Sequence, residues 1–258
     1  MRRKAENMKE LGPTPYHRII TLMNRLRTEC PWDREQSFKS IAPYTIEEAY
    51  EVSDAIERDD MEDLKSELGD LLFQVLFHAK IASESDAFDF EDVCNGLVEK
   101  MVRRHPHIFA GSDKPDWETL KAEERRQLGK NNIRDGIALA LPALKRAEKL
   151  QKRAAKTGFD WPDHAGPLEK ISEEMAEVSE AITNNDQNAI EAEIGDVLFS
   201  VVNLARKLSV DPEAALKLSN QKFTRRFNYI DENSNADLKT KPLEKLEALW
   251  QAAKQSGL

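Results

Sequence analysis

Two pairs of acidic residues recur in this sequence at the spacing of a helix turn. Glu174 and Glu177 stand three residues apart, and a second pair with the same spacing, Glu193 and Asp196, begins sixteen residues later. Residues three apart lie on one face of a helix, so each pair directs two carboxylates to one place. Two such helices side by side would bring four carboxylates together. Oxygen ligands of this kind suit hard cations, and the pattern therefore indicates a site for Mg2+ or Mn2+.

The same four acids occur once more in the first part of the chain. They are Glu48, Glu51, Glu67 and Asp70. Each stands 126 positions before its counterpart (174 − 48 = 126), and the apolar runs that follow the last acid, LLF and VLF, keep the same offset. A constant offset over four acids, a glycine and an apolar run indicates an internal duplication.

A solvated acidic face is the simplest alternative, because 33% of the residues are charged. Three features favour ligands instead. Like-charged pairs cost a helix roughly 0.2–0.5 kcal/mol each, and no basic residue stands four positions on to offset this. Asp70 and Asp196 stand within apolar runs, which predicts core-facing carboxylates that must be paired or coordinated. Gly69 and Gly195 each cost a helix about 1 kcal/mol, which predicts close approach of a ligand or a neighbouring helix.

Two further interpretations concern the same acids. Thr45 and Glu48 match a capping box, which would give Glu48 a structural role. A ferritin-like di-iron site requires Glu-x-x-His pairs. No glutamate stands three positions before any histidine, which excludes the di-iron site; the histidines are His17, His78, His105, His107 and His164.

Helices must position these acids, since apolar residues recur at helical spacing and no alternating strand pattern occurs. The sequence predicts an all-α fold of two tandem repeated helical-bundle domains. The helices predicted to carry the acids cover 45–58, 61–84, 167–183 and 186–208. Other helices are predicted over 16–28, 89–104, 115–128 and 142–157, and from near Pro212 and Pro242. We expect a flexible tail over 1–15, a first domain over 16–133 and a second over 134–258, with the boundary in the polar, glycine-containing stretch 127–136.

Composition narrows the class of protein. A net charge of −9 argues against a general nucleic-acid binder, which needs a basic surface. The two cysteines, Cys30 and Cys94, form no metal spacing and indicate no disulfide framework. No apolar run reaches the length of a membrane span. We therefore expect a cytoplasmic protein without a nucleic-acid or membrane partner.

Basic residues follow each set of acids at positions i, i+3 and i+4. These basic trios are Lys100, Arg103 and Arg104 in the first copy and Lys222, Arg225 and Arg226 in the second. Such a face is often solvated or complements a helix C-terminus, but beside carboxylates and a metal it also suits a phosphate chain. A tryptophan follows each trio, Trp117 and Trp250. For Trp32, capping of a bundle end and a lid or base-stacking role both remain open.

Taken together, these motifs closely resemble the MazG family of all-α nucleoside triphosphate pyrophosphohydrolases. The resemblance rests on EExxE followed by ExxD, twice, with CPWD and QSFKSIAPYTIEEAYE ahead of the first copy. RRHPHIF, GFDW and KFTRRF strengthen it, and it extends from about Tyr16 to the end of the chain. It implies a helical bundle, usually dimeric, that uses Mg2+ to hydrolyse (d)NTPs to the monophosphate and pyrophosphate.

The resemblance also implies roles for individual residues. Glu174, Glu177, Glu193 and Asp196 correspond to the metal ligands, as do Glu48, Glu51, Glu67 and Asp70 in the first copy. Lys170 and the two basic trios correspond to nucleotide and phosphate contacts, and Trp250 to a base contact that Trp117 matches. The first copy has Tyr44 where the second has Lys170 (170 − 126 = 44), so the second copy is expected to be the main active site.

The chemistry expected of such a site is direct attack by a metal-activated water, because no Ser–His or Cys–His arrangement occurs. Glu173 and Glu174 are candidates for the base that accepts the proton. Either house-cleaning of aberrant nucleotides or control of a nucleotide pool fits this activity. The alternative is a non-catalytic helical dimer whose acidic clusters bind basic partners.

Overall fold

The computed structural model describes residues 11–258 except 112, 114–115, 130–131 and 235–236. Within these residues the fold is all-α, as predicted, without strands. The helices are α1 Pro15–Glu29, α2 Pro31–Glu35, α3 Phe38–Glu57, α4 Met61–Ser83, α5 Phe90–Arg104, α6 Pro106–Phe109, α7 Trp117–Gln127, α8 Ala143–Lys156, α9 Ala165–Thr183, α10 Gln187–Lys207, α11 Pro212–Asn233 and α12 Leu243–Gln255. A short 3-10 helix, Leu238–Thr240, precedes α12.

Two compact units make up the chain. The first ends at Leu120 and the second begins at Lys121, so the division falls inside α7. The domain boundary placed within 127–136 from the sequence stays a prediction. Most of the predicted tail, residues 1–10, lies outside the described residues, and α1 begins at Pro15 with Thr14 as its N-cap.

Each unit is built around a helical hairpin that carries its acids. In the first unit α3 turns into α4 through Asp59, which has a left-handed φ of 55°, and in the second α9 turns into α10 through Asn185, with φ 53°. Asp and Asn tolerate this conformation better than most residues. Asp60 and Asp186 follow as N-caps whose carboxylates accept backbone N–H bonds of the next helix. The repeated turn therefore sets both hairpins in the same geometry.

The start of α3 differs from the prediction. The helix begins at Phe38 and not at 45, and Pro43 lies inside it. A capping box of Ser37 and Ser40 begins the helix, and Ile41 is buried in the core, which together offset the hydrogen bond that proline cannot donate. The capping box expected from Thr45 and Glu48 is wrong, because Thr45 lies mid-helix.

Buried apolar side chains hold each unit together. In the first unit Met23, Ile41, Leu76 and Phe77 form a cluster from α1, α3 and α4. In the second unit the buried residues include Val178, Ala181, Val202, Ile230 and Ala253. Among the residues described, none of the helices is long and apolar enough to cross a membrane.

Candidate metal and nucleotide site

Three of the predicted ligands converge in the second unit. Glu174 and Glu177 come from α9 and Glu193 from α10, and one carboxylate oxygen of each lies within 4.8 Å of the others. Glu174 is the most enclosed, with 4% of its surface exposed. Oxygen donors at these separations fit a hard divalent cation. We call these three residues the second acid cluster.

A lysine partly neutralises the second acid cluster. Lys170 stands one turn before Glu174 on α9, and its Nζ lies 2.5 Å from an oxygen of Glu174 and 3.0 Å from one of Glu173. The hydrogen bond from Lys170 holds the pKa of Glu174 below its usual value. The pKa of Glu177 is raised, chiefly by its hydrogen bond with Glu174 and then by desolvation. The positive charge of Lys170 thus favours the ionised form of the innermost carboxylate.

The first unit repeats the convergence without the lysine. Oxygens of Glu48, Glu51 and Glu67, the first acid cluster, lie within 4.8 Å of one another. Tyr44 occupies the position of Lys170 and packs edge-on against Trp32, with 6.2 Å between ring centres. No ion pair reaches this cluster within the part of the chain that the structure describes.

The pKa values of the first acid cluster respond to that difference. Desolvation, followed by the negative charges of Asp70 and Glu51, raises the pKa of Glu48. Desolvation and neighbouring acids also raise the pKa of Glu67. A hydrogen bond with Gln74 opposes the shift at Glu48, and the buried Oε1 of Gln74 has no hydrogen-bond partner of its own. Among the described residues, no cation therefore offsets the negative charge of this cluster.

The two aspartates of the motif are placed differently from the expectation. Asp70 and Asp196 are exposed and lie outside the groups whose oxygens come within 4.8 Å. The prediction that they face the core is wrong, because the apolar residues around them, such as Leu72 and Leu198, are themselves exposed. Asp196 nevertheless lines the same cavity as Glu174.

Gly69 and Gly195 stand beside these aspartates in mid-helix. A Cβ atom at either position would meet no described atom within 4 Å. The expectation that a neighbouring helix of the chain approaches closely is therefore wrong. Nothing in the structure explains the two glycines.

A cavity of about 520 Å3 lies beside the second acid cluster. Lys170, Glu174 and Asp196 form part of its wall. The remainder is mainly apolar and aromatic, with Ile133, Leu150, Ala154, Phe159, Trp161 and Phe199. An apolar space next to charged groups suits a ligand that has one flat, weakly polar part and one highly charged part.

Ion pairs and close packing against a glycine hold the loop that carries Trp161 in place. Asp160 forms ion pairs with Arg206, at 2.5 Å, and with Lys207, at 2.8 Å, on α10. These cations lower the pKa of Asp160 to about 2. Gly166 makes room for the indole, because a Cβ atom there would lie 2.1 Å from the Trp161 ring. In the sequence, GFDW indicates only a family resemblance, and no local pattern predicts that Phe159 and Trp161 line a cavity.

None of the residues of the second basic trio lines this cavity. In both units an arginine of the trio stacks on the following tryptophan. Arg226 lies 5.5 Å from the ring centre of Trp250, and Arg104 lies 5.1 Å from that of Trp117. The repeated stacking supports the correspondence between the two tryptophans. Lys222 and Arg225 are exposed on α11.

Trp32 contacts the first hydrophobic core. The residue is 52% exposed, yet its ring packs edge-on against Phe77, with 6.5 Å between ring centres. It therefore covers one end of the first hydrophobic core.

An all-α chain with two matching carboxylate hairpins, each suited to a divalent cation, defines the class of protein. Comparison with known families agrees. The sequence profile of the MazG nucleotide pyrophosphohydrolase domain matches residues 36–109 and again 163–230. The chain therefore belongs to the MazG family, and it contains two copies of the domain.

Several curated proteins resemble the chain, some of them over nearly its full length. The nucleoside triphosphate pyrophosphohydrolase of Escherichia coli K12 is 46% identical over 259 residues, which cover 93% of this chain and 97% of that protein. The nucleoside triphosphate pyrophosphohydrolase/pyrophosphatase MazG of Thermotoga maritima is 44% identical over 96% of this chain and 98% of its own. The nucleoside triphosphate pyrophosphohydrolase of Mycobacterium tuberculosis is 33% identical over 199 residues, which cover 74% of this chain and 58% of that protein.

Proposed function

We propose that the chain is a nucleoside triphosphate pyrophosphohydrolase, which cleaves (d)NTPs to the monophosphate and pyrophosphate, with its main active site at the second acid cluster. The observation that carries this proposal is the convergence of Glu174, Glu177 and Glu193 beside a cavity. Membership of the MazG family and relatives named for this activity support it.

Glu174, Glu177 and Glu193, together with Asp196, would hold a divalent cation, which we propose to be Mg2+ with Mn2+ as a substitute. The fit rests on three oxygens within 4.8 Å and on a donor set of carboxylates alone. When bound, such a cation neutralises phosphate charge and lowers the pKa of a bound water. The innermost ligand, Glu174, is ionised readily because Lys170 lowers its pKa.

The residues around this cluster supply the other functions of the reaction. Lys170 lines the cavity and can donate hydrogen bonds to a phosphate oxygen. Glu173 is exposed beside it and is our candidate for the group that accepts the proton of the attacking water. Charge that develops on the leaving pyrophosphate is stabilised by Lys222, Arg225 and Arg226, the roles that the family resemblance implies.

For the nucleoside we propose the cavity of Phe159 and Trp161. A triphosphate bound near Lys170 and Glu174 leaves its base within reach of this apolar wall. An indole face stacks on any base, so the site accepts several nucleotides. Trp250, the base contact that the family resemblance implies, does not line the cavity and is the competing position.

In the first unit we propose a metal site without turnover. Glu48, Glu51 and Glu67 would hold the cation, with Asp70 nearby, and the trio of Lys100, Arg103 and Arg104 repeats the phosphate contacts. Tyr44, however, supplies no positive charge at the position of Lys170. This unit is therefore a structural or regulatory copy.

We also propose a homodimer. Exposed apolar residues recur at the offset of the duplication, with Leu68, Leu72 and Val75 on α4 repeated as Ile194, Leu198 and Val201 on α10. Exposed apolar stripes of this kind mark association surfaces. Leu198→Glu should convert the dimer to a monomer in sedimentation velocity, and an unchanged dimer would reject this surface.

The activity suits house-cleaning of aberrant nucleotides or control of a nucleotide pool. We propose that it takes place in the cytoplasm, without nucleic-acid or membrane partners.

The test is pyrophosphate release from a panel of NTPs with Mg2+, measured on the full chain. We expect Glu193→Gln to reduce kcat/KM by about 100-fold or more, a loss typical of removing a transition-state charge contact. Glu191→Gln is the matched control, because Glu191 lies exposed on the same helix outside the cluster. If the wild-type chain releases no pyrophosphate, the non-catalytic dimer with partner-binding acidic clusters is favoured instead.

A further inference from the structure

We propose that Lys170 is a resident counter-ion of the second acid cluster, which a divalent cation displaces from Glu174 and so releases toward the triphosphate. The inference rests on the proposed function, because it takes the second acid cluster to be a metal site. It adds that metal binding and nucleotide binding are coupled through one side chain.

The contacts of Glu174 carry the first step. Its side chain is enclosed, and the groups around it are Lys170, at 2.5 Å, and the carboxylates of Glu177 and Glu193. A cation bound by these three carboxylates must take oxygens of Glu174. Because two positive charges repel strongly in such an enclosed space, the ion pair of Lys170 with Glu174 and the metal exclude each other.

The cavity carries the second step. Lys170 stands in the same cavity wall as Glu174 and Asp196, and its side chain remains 35% exposed. An ammonium that loses Glu174 as a partner keeps access to this space, where a polyphosphate would bring negative charge. Metal binding therefore frees the Lys170 ammonium to donate hydrogen bonds to phosphate oxygens. A bound triphosphate in turn draws Lys170 away from the metal ligands. Such coupling is reciprocal, and it makes each ligand increase the affinity for the other.

The first unit provides a natural comparison. Tyr44 occupies the equivalent position and carries no charge, and Glu48 accepts a hydrogen bond from neutral Gln74 instead. Since no described residue forms an ion pair with this cluster, no ammonium or guanidinium among them has to leave before a metal ion enters. The first acid cluster is therefore expected to bind metal more tightly than the second in the absence of nucleotide.

The experiment measures Mn2+ binding to the full chain without nucleotide, by electron paramagnetic resonance of the free ion. The Mn2+ sites that are lost or weakened in Glu193→Gln are those of the second unit. We expect Lys170→Met to tighten Mn2+ binding at these sites roughly fivefold or more, the usual lower range of site-to-site coupling. Lys170→Arg keeps the charge and should resemble the wild type. Lys207→Met is the control for a lost charge elsewhere in the unit, because Lys207 binds Asp160.

Two further readings separate the possible outcomes. Lys170→Met should weaken binding of a non-hydrolysable α,β-imido triphosphate, measured by calorimetry, while it tightens Mn2+. Structural damage would weaken both ligands. Tyr44→Lys should weaken Mn2+ binding to the first acid cluster. Unchanged or weaker Mn2+ binding by Lys170→Met overturns the inference, whereas a wild-type chain that binds no Mn2+ overturns the proposed metal site itself.

Discussion

The two units place the same carboxylates in the same hairpin, yet they give the innermost glutamate opposite properties. The pKa of Glu174 is lowered because Lys170 donates a hydrogen bond to it. The pKa of Glu48, its counterpart, is raised by burial and by neighbouring acids. The largest contribution to the lowered pKa of Glu174 comes from Lys170, and the first unit has Tyr44 at the equivalent position. A repeated ligand motif therefore does not imply a repeated electrostatic environment.

The aromatic residues differ between the units in a related way. In the second unit Trp161 packs over Gly166 and lines a cavity that includes Glu174. In the first unit Trp32 packs against Tyr44 and Phe77. A cavity of about 320 Å3 in the first unit is lined by residues such as Tyr16, and no residue of the first acid cluster lines it. The cavity that lies beside carboxylates in the second unit is therefore the one that suits a nucleoside.

Making the second unit resemble the first should have the largest effect on activity. Lys170→Tyr removes the ammonium that we expect to bind phosphate oxygens, and with it the positive charge that lowers the pKa of Glu174. We expect kcat/KM for NTP hydrolysis to fall by about 100-fold, as for loss of a charge-stabilising contact. Tyr44→Lys should leave turnover unchanged, because the cavity that we propose for the nucleoside lies in the second unit. If both variants behave like the wild type in pyrophosphate release, the difference between the units does not lie in this residue.

Exchange of the cavity tryptophan should have a smaller effect and should act on binding. Loss of one base-stacking surface costs about 1–3 kcal/mol, so Trp161→Ala is expected to raise KM roughly tenfold with little change in kcat. Trp32→Ala is the matched change in the first unit and should not alter KM. Steady-state kinetics with Trp250→Ala decides between the two aromatic positions, since a rise in KM there and none at Trp161 would move the nucleoside out of the cavity.

The ion pairs that hold the Trp161 loop should contribute to stability in a pH-dependent way. The folded pKa of Asp160, about 2, lies below its usual value of 3.8. Its contribution is therefore complete above about pH 4 and is lost as the pH falls from about 4 to about 2. Asp160→Asn should lower the free energy of unfolding by about 1–2 kcal/mol at pH 7 in urea titrations.

The difference between wild type and Asp160→Asn should shrink below pH 4. Asp231→Asn, an exposed aspartate on α11, serves as the control and should leave stability nearly unchanged. A difference that is the same at pH 3 and at pH 7 would show that the carboxylate charge does not stabilise the loop.

The smallest expected effect concerns how the two acid-bearing hairpins begin. Ser37 caps α3 through a capping box, whereas His164 provides no side-chain cap for α9. Ser37→Ala should cost about 1 kcal/mol of stability in thermal or urea unfolding, the usual value of an N-cap. His164→Ala should cost less, and equal losses would remove this difference between the units.

Much of the fold could be read from the sequence because local patterns determine it. Apolar residues at helical spacing predicted the helices, and the 126-residue offset predicted the two matching hairpins. The convergence of Glu174, Glu177 and Glu193 followed from their spacing on adjacent helices. These features depend on residues close together in the chain.

The remaining features depend on tertiary contacts. The first acid-bearing helix was predicted to begin at 45, but the capping box at Ser37 and the burial of Ile41 begin it at Phe38, with Pro43 inside it. The apolar run around Asp196 was assumed to face the core, although one side of it is exposed. The cavity of Trp161 requires Gly166 and an ion pair between Asp160 and Arg206, which are 46 residues apart. Periodicity gives no information on such contacts.

The most direct test of the central claim compares Glu67→Gln and Glu193→Gln in the full chain, with Mg2+ and saturating NTP. The two changes are chemically identical and fall at equivalent positions of the duplication. If the second unit is the active one, Glu193→Gln abolishes pyrophosphate release and Glu67→Gln retains it. Equal losses in both variants, or a loss confined to Glu67→Gln, would contradict the assignment of catalysis to the second acid cluster.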